Sequence, residues 1–225
     1  MKLYWHKISI LPIFLVLPLF LCAQAMEDLP NENVKVWTGI FVNKKITKDL
    51  SLCAKISYHT NSLLYSARFS DLGLKYNLKY NFKIAGFYRF VRFFEIEQQR
   101  LYFELSHKKS VLNNRLIFKS RVRWERKYNT TDDYLEMHIR PKILIEYVNP
   151  VLGSLGFRPY CSSETFFCYR PDFVINRYRA DIGVNYGITN ASDLRLFIRH
   201  QKERHVEKNE IARQTTFNLG YRFYM

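Results

Sequence analysis

Apolar and polar residues alternate with period two along most of this chain, and that rhythm restricts its fold more than any other feature. In residues 50–58, Leu50, Leu52, Ala54, Ile56 and Tyr58 alternate with Ser51, Cys53, Lys55 and Ser57. In 72–80, Leu72, Leu74, Tyr76, Leu78 and Tyr80 alternate with Gly73, Lys75, Asn77 and Lys79. Successive side chains of a strand point to opposite faces, so each stretch predicts a strand with one apolar and one polar face. Helical spacing is hard to find. The pattern recurs near 34–43, 49–60, 66–80, 82–94, 97–108, 114–127, 133–148, 155–168, 174–188, 192–205 and 212–225, eleven segments in all.

Two kinds of connector take turns between these segments. ITKD (46–49), the region around Tyr80-Asn81 and ITNASD (188–193) read as tight turns; HTNS (59–62), KYNTTDD (127–133) and QKERHVEKNEIARQ (201–214) read as longer polar loops. An up-and-down meander with short turns at one end and longer loops at the other accounts for this alternation. A weak hairpin repeat supports it, in 39–57, 73–90 and 183–200.

Strands with one apolar face build either a soluble sandwich, apolar side inward, or a membrane barrel, apolar side outward. Length favours the barrel: most segments reach the roughly 9–11 residues needed to cross a bilayer, against about 5–6 for an ordinary strand. Charge parity agrees. Arg115, Lys119, Arg121, Arg123 and Glu125 share one face, opposite Leu116, Phe118, Val122 and Trp124. One lipid-facing Arg near the midplane costs about 2–4 kcal/mol, so three misplaced together would rival a whole domain's stability of roughly 5–15 kcal/mol. In a barrel this face must therefore line the lumen. The same parity rule places Glu136, His138 and Arg140, then Arg158 and Glu164, then Arg177, Arg179 and Asp181, then Arg195 and Arg199, and finally Arg222 on the inner face. Such a mixed row either fills the barrel with an Arg–carboxylate lattice or leaves a narrow channel whose excess Arg favours a small anionic solute.

Residues 1–25 are set aside as a signal peptide, with Lys2 and Lys7 ahead of an apolar run and Ala23-Gln24-Ala25 at the cleavage point. Residues 26–225 then form the barrel domain. The formal charge of +15 becomes +13 without those two lysines, a balance that favours anionic partners. The last ten residues, TFNLGYRFYM, keep Phe217, Leu219, Tyr221, Phe223 and Met225 on one parity. Tyr221, Phe223 and Met225 are read as the signal recognised by barrel-insertion machinery, which elsewhere favours a terminal Phe where Met225 stands. Cys53, Cys161 and Cys168 lack metal-like spacing, and a Cys161–Cys168 bridge stays open.

WTGIFVNKKITKDLSL (37–52), RPYCSSETFF (158–167) and INRYRADIGVNYGI (175–188) resemble a family of outer-membrane barrels known only as a domain of unknown function. The resemblance covers essentially the whole mature chain. It implies architecture and location and carries no catalytic residue or ligand; Pro159 and the three cysteines depart from its pattern.

The reading is all-β: a transmembrane up-and-down antiparallel β-barrel of about ten to twelve strands, in the cell outer membrane. Single-chain bacterial barrels normally have even strand numbers, so a twelfth strand is expected within 148–176. No enzyme is expected: GSLG (153–156) lacks nucleophile-elbow spacing, the histidines are scattered, and neither a phosphate loop nor a metal motif is present. The chain is taken to need no cofactor and to act as a structural barrel or narrow passive pore, a monomer contacting outer-membrane lipid and lipopolysaccharide. RVRWERK (121–127) could suit single-stranded nucleic acid, but export and strand parity argue against it. The alternatives are a secreted or periplasmic ligand-binding barrel and an outer-membrane lipid-modifying enzyme.

Overall fold

A computed structural model describes residues 35–61, 66–93, 96–129, 135–148, 156–170, 172–205 and 210–225. The expected signal peptide, residues 1–25, lies outside them. Eleven strands form one closed barrel: β1 (Lys35–Lys45), β2 (Leu50–Asn61), β3 (Ser66–Asn77), β4 (Phe82–Phe93), β5 (Ile96–Val111), β6 (Leu116–Asn129), β7 (Leu135–Tyr147), β8 (Phe157–Arg170), β9 (Asp172–Thr189), β10 (Ser192–His205) and β11 (Glu210–Tyr224). Each pairs antiparallel with its sequence neighbour, and β1 closes on β11. Closure leaves no strand edge unpaired.

The expected twelfth strand is not found among the described residues of 148–176, which β8 and the start of β9 occupy. The odd count has a geometric consequence. After an odd number of alternating strands the last runs in the same direction as the first, so the β1–β11 seam is parallel, with Lys35 opposite Thr216 and Asn43 opposite Tyr224. The chain therefore enters the barrel at one rim, here the N-terminal rim, and leaves at the other, the C-terminal rim.

Prolines blur the period-two pattern in this region without ending its strands. Pro159 lies within β8 opposite Val184. Pro141 lies within β7, whose ladder to β8 breaks after Ile139↔Phe167 and resumes at Lys142↔Glu164, as a residue without an N–H requires.

Connector lengths also differ from the expectation of one short-turn and one long-loop end. Much of QKERHVEKNEIARQ (201–214) is strand, because β10 runs to His205 and β11 starts at Glu210. Inward Gln201 and Glu203 keep the alternation going past the last outward apolar residue, Ile198. At the opposite rim Tyr80 and Asn81 are both left-handed, φ 57° and 61°, as a tight hairpin turn demands.

The barrel is inverted relative to a water-soluble domain. Leu72, Leu74, Ile84, Leu101, Phe103, Leu105, Val122, Ile143, Ile182 and Ile198 project outward and are exposed. Ile182, in mid-strand, is 73% exposed. Exposed aromatics also stand toward both ends of this apolar band: Tyr58, Tyr128 and Tyr169 near the N-terminal rim, and Tyr76, Phe82 and Tyr147 near the C-terminal rim. The inner face is polar and charged, with a few large apolar side chains, among them Val91, Tyr102, Tyr160 and Phe166. No helix among the described residues is long and apolar enough to cross a membrane; a barrel crosses with strands.

Candidate functional site

The inner faces of β5 to β10 carry a connected set of ion pairs. Glu125 on β6 accepts from Arg100 Nη1 of β5 at 2.9 Å and from Arg140 Nη1 of β7. Arg140 turns its Nη2 to Glu164 Oε1 of β8 at 3.0 Å, and Arg121 Nη2 donates to the same oxygen at 2.6 Å. Arg121 also reaches Glu104 at 3.2 Å, to which Arg123 Nε donates at 2.7 Å. One chain of alternating charge thus runs Arg100–Glu125–Arg140–Glu164–Arg121–Glu104–Arg123 over four strands. Register brings most of these residues together, because inward residues of neighbouring strands face each other directly or diagonally, while Arg121 of β6 reaches past β7 to Glu164 of β8.

A second knot centres on Asp181 of β9, which accepts from Arg199 Nε at 2.7 Å, Lys142 Nζ at 2.9 Å and Ser162 Oγ at 3.0 Å. A third, toward the C-terminal rim, joins Lys119 to Glu146 at 2.6 Å, Arg158 to Asp193 at 3.0 Å, and Arg222 to Asn185 at 2.7 Å. Near the N-terminal rim Arg177 pairs with Glu203. Aromatic rings brace the cations: Arg140 lies 4.1 Å from the Phe166 ring centroid, Arg123 4.1 Å from that of Tyr102, and Arg199 4.9 Å from that of Trp37 on β1. Arg195 donates to Tyr160 at 2.6 Å.

The carboxylates of this lattice are buried at mid-height. Glu125, Asp181 and Glu164 are only 1%, 2% and 3% exposed, so solvent barely reaches them from either mouth. Nearer the C-terminal rim the cations open to water, with the Lys119 side chain 40% exposed.

Of the residues expected on the inner face, Lys119, Arg121, Arg123, Glu125, Glu136, His138, Arg140, Arg158, Glu164, Arg177, Arg179, Asp181, Arg195, Arg199 and Arg222 share the inward parity of their strands. Arg115 does not line the lumen: it is exposed in the turn before β6, where its N–H donates to the Leu112 carbonyl. Its parity matched, but the strand starts one residue later. Several lattice members escaped notice. Asp71 and Arg89 form a two-pronged pair at 2.6 and 2.7 Å, to which Tyr102 adds its hydroxyl at 3.0 Å. Parity alone would have found them, since Asp71 lies opposite in phase to Leu72 and Leu74. Among the described residues, Arg179 and Lys55 have no carboxylate at ion-pair distance, and Arg179 Nε donates to Gln201 at 2.6 Å.

Tyr221, Phe223 and Met225 face outward on β11, the first two rings 4.2 Å apart. The chain end is bonded to β1: Met225 N–H donates to Asn43 O at 2.9 Å and Met225 O accepts from Lys45 N–H at 2.8 Å.

Among the described residues, Cys53, Cys161 and Cys168 form no disulfide with one another. Cys161 is exposed and Cys168 buried, because an odd separation along one strand puts them on opposite faces and rules out a bridge between them. Cys168 instead meets Glu136 and His138 at the N-terminal end of the lumen. The potential ligand atoms of these three buried residues lie within 4.8 Å of one another.

A family profile described as a protein of unknown function (DUF2490) matches residues 34–212, so the chain belongs to that family. No curated protein matches it. Among solved structures it is similar to a bacterial polysaccharide outer membrane secretin, with a TM-score of 0.54 and 10% identity. The match covers 79% of this chain and 63% of that one, so the chain spans less than two thirds of that protein's length, and the likeness is one of fold.

Proposed function

We propose that this member of the family is an outer-membrane β-barrel whose interior is closed by its own ion-pair lattice, a structural barrel rather than an open pore. The observation that carries the reading is the inversion of the molecule: an exposed apolar band outside, with aromatics toward both ends, and buried Arg–carboxylate pairs inside. Lipid-facing bands of this kind with aromatic girdles are how barrels meet a bilayer. A secreted ligand-binding barrel would leave Leu72, Ile143, Ile182 and the other outward apolar side chains in water all round its wall, where soluble proteins rarely expose large apolar patches. Lipid and lipopolysaccharide are then the partners of the outer face, and the insertion machinery meets the β11 end. The reading assigns the chain no catalytic step and a monomeric state.

A narrow anion-preferring passage is the second reading, favoured by one observation, the inward cations Arg179 and Lys55, which have no carboxylate at ion-pair distance among the described residues. Cell fractionation tests the membrane assignment. The mature chain should sediment with outer membranes, resist alkaline washing and require detergent for release. Recovery in the soluble fraction without detergent would overturn it.

A further inference from the structure

We propose that Glu136, His138 and Cys168 form a binding site for a single zinc-class transition-metal ion inside the barrel, near its N-terminal rim. The site is made by register. Glu136 and His138 sit two residues apart on β7 and so share the inner face, while Cys168 of β8 lies directly opposite His138. Their atoms are already spaced as ligands of one ion. Glu136 Oε1 lies 3.4 Å from Cys168 Sγ and 3.5 Å from His138 Nε2. Ligands about 2.0–2.3 Å from a tetrahedral zinc stand roughly 3.4–3.6 Å from each other, so the carboxylate, thiol and imidazole need little rearrangement to share one.

Chemistry narrows the ion. A thiolate and an imidazole favour borderline or soft metals, whereas calcium and magnesium prefer oxygen alone. The thiolate and the carboxylate supply negative charge to a divalent ion, and binding displaces the thiol proton. Lys127 Nζ holds the other carboxylate oxygen, Oε2, at 2.8 Å, fixing the orientation that aims Oε1 at the sulfur and the ring nitrogen. Outer partners of this kind orient metal ligands. Three protein ligands leave a fourth position for water or a solute.

Cobalt(II) is the probe, added to the full-length barrel in detergent after chelator treatment. One equivalent should give a near-ultraviolet thiolate-to-cobalt band that zinc displaces. Cys168→Ser should abolish the band, while Cys161→Ser, outward and exposed, should keep it. Glu136→Gln should weaken zinc binding at least about tenfold in titration calorimetry, with heat-modifiable gel migration confirming that each variant is folded. No band in the wild type, or a band that survives in folded Cys168→Ser, would overturn the proposal.

Discussion

Arg140 links two parts of the ion-pair chain. It bonds two buried carboxylates, Glu125 and Glu164, and lies over Phe166. Its removal leaves Glu125 with Arg100 and Glu164 with Arg121, so each carboxylate loses one charge-assisted hydrogen bond, worth about 1.5–3 kcal/mol, but keeps a cation. Arg140→Ala should therefore lower unfolding stability by about 2–4 kcal/mol in urea titrations of the lipid-reconstituted barrel. Arg115→Ala, in an exposed turn, should leave it unchanged. Equal effects from the two would contradict the assignment of these side chains to lattice and turn. Parity in the sequence separates inward from outward residues, and that is why most lattice members were legible. It does not reveal which inward residues touch. Cys168 stands thirty residues beyond His138 in sequence, and only the β7–β8 register makes them neighbours.

Strands are where the alternation was most informative. The eleven segments of the sequence correspond to the eleven strands, because a strict two-residue period admits no other regular structure. Two element-level expectations failed for physical reasons. The twelfth strand rested on a rule for even-numbered barrels, while the closure here uses a parallel seam that the rule does not cover. The long polar loops were misjudged because residues beyond the apolar band are polar on both faces and lose the alternating contrast while remaining strand. Two predictions belong at this scale. Ile182→Arg, in the exposed band of β9, should cost about 2–4 kcal/mol near the bilayer midplane and reduce the inserted fraction; in a water-soluble barrel the same change would be harmless. Deleting Phe223 to Met225 removes the bonds from Met225 to Asn43 and Lys45 and the end of the seam. Assembly, followed by heat-modifiable migration, should fall, and normal assembly of the truncation would count against a role for the β11 end.

At the scale of the whole molecule, an apolar outer wall and a charged, dry interior depend on each other. A barrel set in lipid cannot face its Arg and Glu outward, and charges confined to the lumen must find partners because few water molecules reach them. The pairing of Arg140 with Glu125 and Glu164, and of Arg199 with Asp181, meets both demands, and on the proposed reading it also closes the passage. The claim that the lattice is a septum is tested most directly by single-channel recording of the purified barrel in planar bilayers. The wild type should be electrically silent at moderate voltage, and Glu125→Ala with Glu164→Ala, which unties the chain of ion pairs, should produce discrete conductance steps. Stable, anion-selective steps in the wild type would contradict the closed interior and move the assignment to a pore.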